Sequence, residues 1–244
     1  ALVLCAVATY VATWTGWFAT SGGWDRTWGA QRPDEPLVKA FGADIASWLW
    51  YHKEIYDFHT GDFINKATHP YNAHPAGWLL MLRPIGIDAI NGIKNGTDGC
   101  TVPSGDCLRV ISGMGTPLLW WFAAVALVVA CVWWLAGRDW RFGVAVVGVA
   151  STWLPWVYQG VTTTRPLFFF YAIVIVPFTV LGLAMVLGLI LGRARASGRR
   201  AAAIAVGVVV ALVVLDFGYL YPVFTDVLLP YNDWLTRMWL HSWI

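Results

Sequence analysis

A chain of 244 residues with 58% hydrophobic and only 12% charged side chains, at a mean hydropathy of +0.60, carries too little charge to cover a soluble domain of that length. A formal net charge of +2, with no basic stripe interleaved with aromatics, excludes nucleic acid as a partner. Seventeen tryptophans point instead to membrane lipid, because the indole ring favours the boundary between hydrocarbon and water.

The chain opens on "ALVLCAVATY", an apolar run that continues past Trp14 and Trp17 without a methionine or a charged leader. Residues 1–20 therefore read as a transmembrane helix at the cut edge of a larger protein. A hydrophilic block follows over 21–109, beginning with a turn-rich aromatic stretch, "WDRTWGAQRPDEP". Residues 36–68 then read as helix, with Ile45, Trp48, His52, Ile55 and His59 at steps of three and four. One face is apolar with two histidines in it, and the other carries Lys53, Asp57 and Asp62. That is the pattern of an amphipathic helix lying on a membrane surface or packed on the spans. Pro70 and Pro75 end the regularity, because the residue before a proline is pushed towards extended geometry. Residues 78–90 are expected to re-enter the interface. Cys100 and Cys107 flank the polar loop "TVPSGD", which predicts a disulfide and an oxidising compartment, the alternative being two free thiols. Cys5 and Cys131 lie in apolar runs and read as inert.

Four further apolar segments, 110–136, 142–160, 167–192 and 201–222, are each long enough to span the hydrocarbon. None alternates like a barrel strand, so the fold class is an all-α membrane protein of about five transmembrane helices. Its four-helix part occupies 110–222, and 223–244 is expected to be an interfacial helix. Arg138 and Arg141 in one short loop, and Arg193, Arg195, Arg199 and Arg200 in another, mark the cytoplasmic side; the opposite loop has only Arg165. This predicts a multi-pass cell-membrane protein with 21–109, 160–166 and the tail extracytoplasmic.

His52, His59, His69 and His74 cluster in the sequence, but the helical pair is seven residues apart, not one turn. Packing or a hydrogen-bond network accounts for them better than a metal, and no cofactor is expected. The segment "THPYNAHPAGWLLMLRPI" reads either as an interfacial loop using His, Tyr and Trp78 as ordinary boundary residues or as the wall of a substrate site; its residues alone favour the first. Arg165, at the outer end of a span, either snorkels to the interface or holds a lipid phosphate, whose oxygens a guanidinium matches in a bidentate way. Arg83 lies on the same side. Asp216, an acid within the last span, reads as a helix-packing hydrogen bond in preference to a catalytic group. No Walker loop, Rossmann fingerprint, HExxH or GxSxG occurs.

Taken together, "YHKEIYDFHTGDFINKATHPYNAHPAGWLLMLRPI", "TWLPWVYQGVTTTRPLFFFYAIVIVPF" and the closing "RMWLHSWI" resemble the C-terminal membrane domain of bacterial, actinobacterial-type protein O-mannosyltransferases, over residues 51–244. One departure is Asn72-Ala73, where that family usually carries a serine two residues after the tyrosine of His-Pro-Tyr. The resemblance implies transfer of mannose from polyprenyl-phosphate-mannose to Ser or Thr of secreted acceptor proteins, on the outer membrane face. It implies Arg165 at the donor phosphate, with His69, Tyr71, Trp78 and Arg83 shaping the site. It also places the catalytic acidic pair upstream of this chain, so the fragment alone is expected to be inactive. Two other readings stand beside it: a transporter or channel fragment, and a non-catalytic membrane subunit.

Overall fold

The computed structural model describes residues 2–193 and 198–244 and divides into two units, Ala1–Lys66 and Ala67–Ile244.

In the first unit the expected span over 1–20 is broken. Helix α1 (Leu2–Thr13) ends at Trp14, and α2 (Thr15–Ala19) is a separate short piece. The hydroxyls of Thr13 and Thr15 turn back to the carbonyls of Tyr10 and Ala12 (2.6 and 2.7 Å), the local competition that bends helices. Helix α3 (Pro36–Thr60) starts on a proline and kinks at Gly42, whose φ of +78° is left-handed backbone that glycine adopts without strain. Helix α4 (Asp62–Asn65) follows. Ser47, fully buried, donates to the Ala43 carbonyl and accepts from the Gly29 amide, both at 2.8 Å, which fixes the turn-rich stretch on α3. Trp28 stacks on Trp50 with centroids 4.5 Å apart. Arg26 reaches Asp44 at 2.6 Å and also the carbonyls of Trp17 and Phe18.

The second unit is a helical bundle with a small sheet at one end. Strands β1 (Ile85–Ile93), β2 (Cys107–Gly113) and β3 (Leu229–Pro230) form an antiparallel sheet in the order β1-β2-β3, with Ile85 opposite Gly113 and Leu108 opposite Leu229. The expectation of an all-α chain is corrected here. Residues 110–113, read as the start of a span, belong to β2, and the helix begins only at Pro117. A short apolar run of β-branched residues, Val110-Ile111, fits a buried strand as well as a buried helix, and Gly113, Gly115 and Pro117 then end the strand. Residues 78–90 likewise form part of a 3₁₀ turn (Pro75–Leu80) and the first half of β1. The loop between β1 and β2 is closed by a Cys100–Cys107 disulfide and by Lys94 on Asp106 at 2.8 Å.

Helices α5 (Pro117–Gly137), α6 (Trp140–Thr162), α7 (Val176–Arg193, entered through a 3₁₀ stretch Phe169–Ile175) and α8 (Arg199–Phe224) make the bundle. Among the described residues these four are long and apolar enough to cross a membrane, whereas the first apolar helix is shorter, Val3–Thr13. The chain is thus a multi-pass membrane protein segment. Its helices meet through small residues, as expected where lipid offers no hydrophobic penalty for exposed side chains. Ala123, Ala126 and Ala130 line one stripe of α5, and Gly148 of α6 lies against Phe178, where an added Cβ would come within 2.2 Å of the ring. Val125, Val128, Val132 and Leu135 of α5 point outward.

Strand β2 precedes α5 and β3 follows α8, so their pairing holds both ends of the four-helix segment at one end of the bundle, as an even number of crossings requires. The tail, expected as one interfacial helix over 223–244, is instead β3, a short helix α9 (Tyr231–Leu235) and a 3₁₀ turn (His241–Trp243). It is shaped by tertiary contacts, not by its own period.

Asp216 of α8 is buried, and its Oδ2 accepts from the Leu118 amide at 2.8 Å. The carboxylate therefore caps the N-terminus of α5, whose first amides have no partner within the helix. Asp216→Ala is expected to cost about 1–3 kcal/mol, with Asp216→Asn costing less because it keeps an acceptor. Thermal unfolding in detergent checks this; an alanine variant that melts with the parent would refute the capping role.

Candidate functional site

The His-Pro segment is a rigid piece of chain whose imidazoles serve the backbone. His69 Nδ1 accepts from the Tyr71 amide at 3.1 Å, and His74 Nδ1 accepts from the Ala76 amide at 3.2 Å, capping the 3₁₀ turn. With Nδ1 as acceptor in each neutral ring, the proton sits on Nε2. In His69 this leaves an exposed N–H donor, and its ring stands edge-on to Phe168 at 4.9 Å.

Residues 163–168, the loop leaving α6, run alongside this segment. Asn72 Oδ1 accepts from the Leu167 amide at 2.9 Å, and the Ala73 amide donates to the Leu167 carbonyl at 2.7 Å. Pro166 and Leu167 are buried, and Arg165, immediately before them, is half-buried. Two segments about ninety positions apart in sequence are thus stitched together at the sheet-bearing end of the bundle. His69, Phe168 and the Arg165 loop meet there. Asn72 and Ala73 are the stitch itself: Asn72 serves Leu167, and Ala73 is buried.

Arg83 has a different place from Arg165. Its Nη1 donates to the carbonyls of Ser242 and of Ile244 (2.9 Å for the latter), and its Nη2 donates to the Pro70 carbonyl at 3.0 Å. The guanidinium also lies 5.3 Å from the Tyr71 ring centroid. Arg83 is therefore a clamp between the His-Pro segment and the tail. Tyr71, held by it, covers Gly86 so closely that a Cβ there would sit 2.9 Å from the phenolic oxygen. Trp78 is a core residue, 1% exposed, whose indole N–H donates to the Ala73 carbonyl at 2.9 Å.

Sequence reasoning placed the tryptophans in a boundary belt and missed what several of them do. Trp153 donates to the Pro75 carbonyl (2.8 Å), Trp120 to Trp78 (2.7 Å), Trp121 to Leu80 (3.0 Å) and Trp243 to Met81 (2.8 Å). Indole N–H groups from α5, α6 and the tail thus donate to the carbonyls of Pro75, Trp78, Leu80 and Met81, tying the 3₁₀ turn and the residue after it to those elements, and the Trp78 carbonyl also accepts from the Met81 amide. No local signal in the sequence announces this, because each pair is long-range.

In the first unit, His52 is committed. Its Nδ1 donates to the Trp48 carbonyl at 2.7 Å, so Nε2 accepts from the Tyr10 hydroxyl. Among the described residues no group of three or more His, Cys, Asp or Glu side chains is placed to hold a metal. A cavity of about 470 Å³ lies beside Trp24, Trp50, Tyr51 and Glu54. A hydrogen bond with the Asp25 carboxyl, helped by burial, pushes Glu54 up from the usual carboxylate range.

No family model matches the chain. It is, however, 36% identical over 247 aligned positions to a polyprenol-phosphate-mannose–protein mannosyltransferase of Mycobacterium tuberculosis, covering 100% of this chain and 46% of that protein. This chain belongs to the protein O-mannosyltransferase family. Similar relatives carrying the same name occur in Corynebacterium glutamicum, at 31% identity over 99% of this chain, and in Mycolicibacterium smegmatis, at 30% over 98%. The chain spans about half the length of the curated relatives it matches, 46% in each case. Its fold is similar to a solved structure of the S. cerevisiae protein O-mannosyltransferase Pmt1-Pmt2 complex bound to the sugar donor, with a TM-score of 0.57. That match covers 82% of this chain and 27% of the yeast chain at 18% identity, and is a likeness of fold alone.

Proposed function

We propose that this chain forms the donor-side half of an enzyme that moves mannose from polyprenyl-phosphate-mannose to Ser or Thr hydroxyls of secreted proteins, at the extracytoplasmic face of the cell membrane. One observation carries the reading: the pairing of residues 72–73 with Leu167 brings an exposed imidazole donor and a cationic loop together at one end of an apolar helical bundle. A lipid-linked sugar phosphate asks for that combination, with its chain among apolar helices and its phosphate beside fixed positive charge. As the bond from the anomeric carbon to the phosphate oxygen breaks, negative charge builds on the leaving phosphate. A held guanidinium stabilises that charge more than it stabilises the ground state.

In this reading Arg165 holds the phosphate. His69 donates from Nε2 to a phosphate or sugar oxygen, and Tyr71 forms the wall beside it. Arg83 and Trp78 act through the fold, fixing the segment that carries His69 and Tyr71. The base that takes the acceptor hydroxyl proton lies in the part of the relatives that this chain does not span; Asp216 is occupied as a helix cap. Arg138 and Arg141, between α5 and α6, and Arg199 and Arg200, at the start of α8, face the cytoplasm, because positive charge in short loops is retained there, while Arg195 lies outside the described residues.

The test is transfer of labelled mannose from polyprenyl-phosphate-mannose to a Thr-rich peptide, by membranes carrying the full-length parent and by membranes carrying this chain alone. Transfer by the parent and not by the chain alone is expected. No transfer by a well-inserted parent would overturn the reading.

A further inference from the structure

We infer that the outer edge of β1 binds the acceptor polypeptide as an added strand, so that the acceptor is recognised through its main chain. This inference rests on the transferase reading above and says how the second substrate is held.

Strand β1 pairs with β2 on one side, while β2 is flanked on its other side by β3, so β1 is an edge strand of the sheet. An edge strand presents a row of main-chain donors and acceptors to any extended chain that reaches it. Residues 87–92 are exposed throughout, and the exposure includes large apolar side chains, Ile87 at 61% and Ile90 at 51%. The sequence "IGIDAINGI" contains no lysine and no proline, the residues that usually protect such edges, and Asp88 is its one charge. Register shifts lie between Gly86 and Asp88 and between Ile90 and Ile93, which leaves a regular stretch over 88–90. Within it, the Ala89 amide donates to Asp88 Oδ1 at 3.0 Å, a side-chain cover that an incoming carbonyl can replace.

The position of this edge argues for an acceptor. It begins at Gly86, the residue that Tyr71 covers, so a strand laid along it runs directly to the wall of the proposed donor site. A cavity of about 200 Å³ adjoins the same stretch, lined by Tyr71, Gly86, Asp88, Ala89, Trp234 and Trp243 among others. Side chains of an added strand alternate between the two faces. Every second acceptor residue therefore points towards that cavity, and a Ser or Thr there lies next to Tyr71. Main-chain pairing also suits an enzyme that acts on protein acceptors, since it fixes a hydroxyl in space while leaving most of the surrounding sequence unconstrained.

The experiment uses the full-length parent in membranes and a Thr-containing peptide, scanned with single N-methyl groups on either side of the Thr. An added strand directs alternate amides at β1, so the expected result is a rise of about tenfold or more in peptide KM at every second position. The KM for the lipid donor should not change. Ala89→Pro removes one edge amide where an edge strand tolerates proline, and should raise peptide KM by a similar factor with donor KM and melting temperature unchanged. A flat or non-alternating N-methyl profile would overturn the inference. So would an Ala89→Pro enzyme whose peptide KM is unchanged but whose melting temperature or oligomeric state shifts, because the edge would then be covered by another part of the protein or by a second copy. Failure of the parent to transfer mannose to any peptide is a separate outcome, which removes the transferase reading and this inference with it.

Discussion

Arg165→Ala in the full-length parent is expected to lower mannose transfer by about 100-fold, the usual cost of removing one preorganised group that stabilises developing charge. Membrane insertion is expected to hold. The loop that carries Arg165 is fixed by main-chain bonds at Leu167 and by the buried Pro166, neither of which needs the guanidinium. Arg165→Lys should recover part of the loss, because it restores the charge without the planar two-pronged geometry that fits a phosphate. The decisive comparison is between kcat/KM for the lipid donor and the amount of protein correctly inserted. Equal loss of both, or of neither, would remove Arg165 from the donor site. Arg83→Ala makes the informative contrast, since that side chain already serves carbonyls of Pro70, Ser242 and Ile244 and should lower stability together with activity.

That contrast marks where local sequence reading stops. Both arginines precede a proline and both lie at the same end of the bundle, and the sequence, which put Arg165 at the phosphate and Arg83 in the shape of the site, does not say what either guanidinium touches. What makes Arg83 a clamp is a set of contacts with residues some 160 positions away, to which no periodicity or spacing rule has access. The same limit explains the tryptophans. Hydropathy and boundary preference say that indoles belong near the interface, but not that Trp120, Trp153 and Trp243 would meet particular carbonyls. The bundle was legible because each of its four helices is a long apolar run, and length alone separates a span from a strand. Strand β2 was not legible, because its apolar residues merge without a break in hydropathy into the helix that follows. The first apolar stretch has the composition of a span, but its bend at Trp14, where threonine hydroxyls on either side compete for helix carbonyls, was not announced by hydropathy. In the His-Pro segment, the prolines announced a fixed non-helical loop. The Asn72 side chain decided what that loop is fixed to.

Trp243→Ala is expected to be among the most damaging single changes in the second unit, although it lies far in sequence from the proposed donor site. The indole is buried in the same cluster as Trp78 and Met81, donates to the Met81 carbonyl, and is flanked by Ser242, whose hydroxyl donates to the Leu82 carbonyl. Truncating a buried Trp to Ala costs about 3–5 kcal/mol through lost burial and the cavity left behind. Trp243→Phe separates packing from hydrogen bonding: it fills most of the space but orphans the Met81 carbonyl, at about 1–3 kcal/mol. Melting in detergent should therefore rank the parent above Phe and Phe above Ala. Because the tail, Arg83 and the His-Pro segment are one hydrogen-bonded assembly, transfer activity should fall in the same order, through displacement of His69 and Tyr71. An alanine variant that melts and transfers like the parent would show that the tail merely rests on the site. A variant that melts lower yet keeps full transfer would show that the His-Pro segment holds its shape without the tail, and that its tryptophan bonds to α5 and α6 suffice.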